Sequence, residues 1–396
     1  MIALLLLRSA ALAHSTEFGV TQLSAREEAP EEVWAASEGW GVLHSTDGGV
    51  SWGWLCEESI GASSVYDVLA YAPGVALVAT QSGLLRVGAD CSSTEVAGLP
   101  EGFVLQLVSY AGVAAATVVT AEGRGGVYLC TDTECAPTEL EGEGYFPKSL
   151  FVEEDRLWAT LVHTETLASE LLVSADGEAF AVVHAWPNGD TDPKVLWARG
   201  ESLFLWLRPR SSSGEPGFYV SRDGGESFEG TLLAGYYTDP SANALVLDEG
   251  ETVLVGSYYG ARTWRSTNGG AEFADVSADT PALRCALPLA TGALLCADHL
   301  ADGLDVAYTP DGLDFTPLAC LEDVAPSACA AEACAPYVSA WDAAAAYGGG
   351  KCDPEVDTGS GEPEPPCGCS STADSLPGLG LIAVFALGRR YSPRAT

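Results

Sequence analysis

Apolar positions in this chain fall in short runs broken by polar residues and glycine, without the three-to-four spacing of an amphipathic helix. Between Ser149 and Val183 there are four such runs: Ser149 to Val152, Leu157 to Val162, Leu171 to Ser174 and Phe180 to Val183. The plan returns at Ala244 to Leu247, Thr252 to Ser257, Thr263 to Ser266, and from Phe273 onward. Runs of this length and composition predict strands, and four in close succession predict a small antiparallel sheet.

A turn between the third and fourth runs recurs along the chain. Its cleanest copy is Ser45-Thr46-Asp47-Gly48-Gly49-Val50-Ser51-Trp52, nearly repeated from Ser221 to Phe228 and from Ser266 to Phe273. The copies around Asp176 and Asp311 are one residue shorter, and Asp90 and Asp132 mark two eroded ones. Asp47, Asp90, Asp132, Asp176, Asp223, Asn268 and Asp311 are separated by 43, 42, 44, 47, 45 and 43 residues. An Asp or Asn side chain accepts backbone N–H groups within such a turn, and glycine adopts positive φ without a Cβ clash. The turn residues are therefore expected to be structural. A period of this size, with four strands in each, predicts an all-β fold: a seven-bladed β-propeller of four-stranded blades.

These repeats resemble the Asp-box (BNR) propellers, a grouping that includes sialidases, sortilin-type receptors, xyloglucanases and photosystem-assembly factors. The resemblance covers about Phe18 to Leu321 and implies the propeller fold over residues 16–322. It implies little about activity, because function lives in the site and not in the fold.

Charge narrows the partners. With 55 acidic and 18 basic residues the net charge is -37, so a nucleic-acid partner is not expected. No EF-hand loop, zinc-type Cys pair or cofactor motif is present, and neither a metal nor a cofactor is expected. The 12 cysteines are even in number, as in a disulfide-bonded exported protein. Export is also suggested by the apolar run Ile2 to Leu7 and by Ala11-Leu12-Ala13, which together read as a signal peptide over residues 1–13. Spacing leaves the cysteine pairing open. Cys130 and Cys135 bracket the eroded third turn. Cys285 and Cys296 fall on neighbouring strands of the last blade, and Cys56 with Cys91 would join the first two blades. Cys320, Cys329, Cys334 and Cys352 form a separate cluster, read as a disulfide-bonded cap or stalk over residues 323–352.

The chain ends differently. Residues 353–366 are acidic and rich in Pro and Gly, an extended linker expected to be disordered. After Cys367-Gly368-Cys369 comes an apolar run, Leu376 to Gly388, and then Arg389, Arg390 and Arg394. At about 1.5 Å per residue the run spans roughly 20 Å, short of the ~30 Å hydrocarbon core. Residues 367–396 resemble a MYXO-CTERM sorting signal. That resemblance implies recognition by a membrane sorting protease, lipidation at Cys367 or Cys369, and display at the cell surface or outer membrane.

No catalytic constellation is complete. The arginine-bearing motif that sialidases carry ahead of the first repeat is missing, since Glu17 to Ser45 holds only Arg26. Candidate binding residues come from the loops that join the second and third strands and from those between blades. In a propeller these share one face, opposite the Asp-Gly turns. The candidates are Tyr145, Phe146, Trp186, Arg208, Arg210, Tyr236, Tyr237, Tyr258, Tyr259, Asp298, His299 and Asp302. Aromatic rings with a few charges suit an extracellular protein or glycan ligand bound by a monomer. Packing at blade edges is the competing role for the same rings. The expected function is a binding or scaffold module, with an extracellular glycoside hydrolase on the same fold as the alternative.

Overall fold

The computed structural model describes residues 19 to 347, apart from 38, 143, 188, 190, 211–216, 234–241, 258–261, 299–301 and 303. The segments read as a leader, a linker and a sorting tail, with Cys352, Cys367 and Cys369, lie outside the described residues.

Seven antiparallel sheets follow one another, each with its first four strands in sequence order. The innermost strands are Val20–Arg26, Val65–Ala72, Gly102–Tyr110, Tyr145–Glu153, Thr191–Arg199, Ala242–Leu247 and Cys285–Leu289. Each packs against the next, and the seventh packs against the first. The ring closes, and the protein is a seven-bladed β-propeller.

The strands differ by their place in the blade. Second strands lie between neighbouring blades on both faces, so they carry near-continuous apolar runs; Val113–Thr120 and Arg156–His163 are buried over almost their whole length. Leu77, Leu157 and Leu205 are each essentially solvent-free there, and burying one such side chain stabilises by about 2 kcal/mol. Outermost strands such as Ser93–Glu95 and Cys135–Pro137 are short, which limits the open edge each blade presents.

The Asp-Gly turns join third to fourth strands in the predicted places. Asp47 Oδ1 accepts the N–H groups of Val50 (3.1 Å) and Ser51 (2.9 Å), while Ser45 Oγ accepts that of Gly49 (2.9 Å). Likewise Ser221 and Ser266 accept the N–H groups of Gly225 and Gly270, and Asp223 and Asn268 accept those of Ser227 and Glu272. The shortened copies use Asp176 on Glu178 and Ala179, and Asp311 on Leu313 and Asp314. The last glycine of each turn does a second job: it lies against the preceding blade. A Cβ on Gly225 would meet Val183 at 2.7 Å, one on Gly270 would meet Phe218 at 2.5 Å, and one on Gly312 would meet Leu254 at 2.6 Å. Local turn chemistry and blade stacking therefore both require glycine there. At the eroded third turn the Cys130–Cys135 disulfide brackets the hairpin instead, and Asp132 accepts from Arg86 Nε of blade two at 3.1 Å.

After blade seven the chain returns to blade one. Ala325–Pro326 pairs parallel with Gly53 and Trp54, adding a fifth strand to the outer edge. Beyond it, the helix Val338–Tyr347 buries Trp341 against Trp54 (ring centroids 4.4 Å) and Trp40 (5.5 Å). This return corrects two expectations about the cysteines. Cys56 does not pair with Cys91. Cys56 bonds Cys334 and Cys91 bonds Cys329, so two of the supposedly separate C-terminal cysteines are bolted to the first two blades. The cause is tertiary: the added strand brings the segment beside blade one, with Cα atoms 5.7 and 5.8 Å apart in the two bridges. Cys320 is disulfide-bonded as well. Cys285–Cys296 forms as expected between directly paired residues of the first two strands of blade seven.

Candidate functional site

Antiparallel order within every blade places the starts of the innermost strands and the ends of the second strands on one face, opposite the Asp-Gly turns. Tyr145 and Phe146 open the inner strand of blade four, and Trp186 ends its last strand. Arg208 and Arg210 stand at the end of Ser202–Pro209, and Asp298 and Asp302 follow Gly292–Cys296. These seven residues share the loop face. Tyr236, Tyr237, Tyr258, Tyr259 and His299 lie outside the described residues.

Several of the seven serve the fold. Trp186 packs on His184 (4.5 Å) and Phe228 (5.9 Å) at the junction of blades four and five. Asp298 pairs with the nearly buried Arg284 at 2.7 Å, and Asp302 Oδ2 accepts the N–H groups of Ala282 (2.8 Å) and Asp298 (2.9 Å). Arg210 donates to the carbonyls of Leu167 and Gly189 and to Asp192 Oδ1 at 2.9 Å. Asp192 also pairs with Lys148 Nζ at 3.2 Å, and Lys148 sits 4.6 Å above the Phe146 ring. Phe146 and Arg210 are thus joined through Lys148 and Asp192.

Tyr145 opens onto a surface cleft of about 620 Å³ between blades three and four, lined also by Glu122, Arg124, His163 and Glu165. Tyr145 and His163 rings lie 5.0 Å apart, and His163 Nε2 faces Glu170 Oε1 at 3.2 Å. Across the loop that carries Glu122 and Arg124 a second cleft of about 590 Å³ is lined by Glu101, Tyr128 and Glu141. Tyr128 donates to Glu141 at 2.9 Å; its burial and that acidic partner hold the phenol well above the usual tyrosine range. Arg124 lines both clefts.

A third space lies on the axis. It is about 540 Å³, and all seven innermost strands contribute to its lining. Six of the seven blade junctions around it are tied by one polar side chain reaching the next inner strand. Ser24 accepts from Ala70 N–H (2.9 Å), Asp67 from Leu107 (2.7 Å), Gln106 from Leu150 (2.8 Å) and Ser149 from Val195 (3.0 Å). Lys194 donates to Ala242 O at 2.9 Å, and Asn243 donates to Arg284 O. Asp67 also accepts Val68 N–H at 2.8 Å; complete burial pushes its carboxyl up to about 7 against these donors and the charge of Lys194. Five inner strands carry an extra residue relative to their ladder partner: Thr21, Tyr66, Leu105, Lys148 and Leu196. Each of these bulged residues lines the axial space. Sequence reading missed both the clefts and the axis. A signal was present, since the polar residues of the inner strands recur at nearly the repeat spacing, but the bulges that turn the side chains inward have no residue signature.

Among known proteins, no family model matches the chain, and no curated protein matches it. Solved structures do. A puromycin-hydrolyzing peptidase of Mycobacterium tuberculosis is 14% identical with a TM-score of 0.53, over 77% of this chain and 53% of that one. Hydrazine synthase of Kuenenia stuttgartiensis is 10% identical with a TM-score of 0.53, over 75% and 96%. YCF48 from Cyanidioschyzon merolae is 14% identical with a TM-score of 0.48, over 74% and 95%. At these identities the likeness is one of fold.

Proposed function

We propose that this chain is an exported, surface-anchored Asp-box propeller that acts as a binding or scaffold module for a protein or glycan, which it holds on the loop face over blades three and four. The observation that carries this reading is the pair of adjoining clefts sharing Arg124, edged by Tyr145 and Tyr128 and rimmed by carboxylates. The half-buried ring of Tyr145, flanked by charged hydrogen-bonding groups, matches the stacking and polar contacts that sugars and peptide side chains make. Export and anchoring are supported by the N-terminal apolar run, by the disulfides, and by the MYXO-CTERM-like end that a membrane sorting protease would process. A glycoside hydrolase is the second reading, favoured by Glu122 and Glu165 in one cleft, because glycoside hydrolysis uses paired carboxylates.

Glycan and peptide arrays test the first reading. Tyr145→Ala and Arg124→Ala should each weaken captured signals at least about ten-fold, as expected for central contact residues, with the Tm unchanged. Blank arrays, or signals indifferent to both changes, would refute it. Turnover on a fluorogenic glycoside panel that disappears in Glu165→Gln would establish the second reading instead.

A further inference from the structure

The whole sequence holds only three lysines: Lys148, Lys194 and Lys351. Two of them line the axial cavity of a chain whose net charge is -37. They arrive from adjacent blades, and Lys148 comes in at a β-bulge, a device that re-aims a side chain. The carboxylate beside Lys148, Asp192, is shared with Arg210, so one negative charge faces two cations there. Leu105, also at a bulge, is among the few large apolar side chains in the described residues that remain substantially exposed, at 36%, and it borders the same cavity. Ammonium groups and apolar wall thus share a space within the usual range of small-ligand pockets, roughly 300–1,000 Å³.

We propose that the axial cavity is a binding site for a small organic anion, with its negative group at Lys148 and Lys194 and its apolar part along Leu105 and Tyr66. Lysine attracts carboxylate and phosphate alike as a point charge, so charge is the shared requirement. The site is separate from the surface clefts and does not depend on what they bind. Thr21, Gln22 and Asn243 add hydrogen-bonding groups at the wall.

The test uses the purified full chain, isothermal titration and thermal shift, with benzoate, phenyl phosphate and neutral benzamide as probes. One or both anions should bind saturably at one per chain, and benzamide at least about ten-fold more weakly. The stronger anion identifies carboxylate or phosphate as the preferred group. Lys148→Gln should weaken the anion at least about ten-fold. Arg199→Gln removes the same charge from an exposed pair with Glu249 outside the cavity, and should bind like the parent. If Lys148→Gln fails to fold, Leu105→Asp places a negative charge in the same cavity and should abolish binding. Equal binding of benzamide, undiminished binding by Lys148→Gln, or neither heat nor a Tm rise with either anion at about 10 mM would overturn the proposal.

Discussion

On the turn face, Ser221, Asp223 and Gly225 of blade five make the same contacts as Ser45, Asp47 and Gly49 of blade one. On the loop face, blade three offers Glu122 and Arg124, blade four Tyr145 and His163, and blade seven an Arg284–Asp298 pair. At one end five of the seven blades repeat a solution, and the other end varies from blade to blade. The turn face must satisfy the same local requirement seven times, closing a hairpin while leaving room for the neighbouring blade. The loop face carries no such shared demand, so its residues are available to differ.

Breaking the ring where it has no repeat should have the largest effect. The Cys56–Cys334 loop spans 278 residues and the Cys91–Cys329 loop nested in it 238, so removing only the first bridge opens the 40 residues by which they differ. Replacing Cys56 and Cys334 with alanine should therefore cost roughly 4 kcal/mol if loop entropy of the unfolded chain dominates. Urea unfolding under non-reducing conditions measures this; a loss below about 1 kcal/mol would mean that the strand at Ala325–Pro326, Trp341 and the remaining Cys91–Cys329 bridge hold the returning segment without it.

Breaking the repeat itself comes next. Gly270→Ala combines a φ of +83° with a Cβ placed 2.5 Å from Phe218, and should destabilise by about 3 kcal/mol. Gly224→Ala, also at positive φ but with open space around the added carbon, should cost less than half as much. Equal losses would show that backbone conformation alone, and not contact with the next blade, demands glycine.

The smallest effect separates the two environments by pH. Burial raises Asp67 to about 7 from an unfolded value near 3.8, so its folded state takes up a proton. Its contribution to stability is fully present below the unfolded value and is lost as pH rises through about 7. Between pH 8 and 5.5 the parent should gain about 2 kcal/mol, and Asp67→Asn should abolish the gain. The turn aspartates behave oppositely. The Ser51 hydroxyl and N–H hold Asp47 below its ordinary value, and the N–H groups of Ala179 and Glu178 do the same for Asp176. Their contribution is present above about pH 4 and is lost as pH falls further. Stability against pH should therefore rise from alkaline pH toward about 5 and then fall below 4. A monotonic curve would count against one of the two assignments.

Much of the fold was legible because its determinants are local. Asp47, Asp223 and Asn268 each fix a hairpin through bonds to residues three or four positions away, and their spacing counts the blades. Cys130 and Cys135 were readable for the same reason, being neighbours across one turn. Cys56 was not, since its partner is brought by a return path that no spacing encodes. On the loop face the sequence named Tyr145 as a binding candidate but gave no sign of the cleft that it lines, nor that Trp186 packs against Phe228.

The amino-acid order alone determined the strand pattern, the turn chemistry and the number of blades, because each rests on forces acting within about ten residues along the chain. Only the closed ring decided which residues face the axis. A one-residue bulge in five separate strands turns Thr21, Tyr66, Leu105, Lys148 and Leu196 toward a common space, and their proximity exists only once seven blades meet.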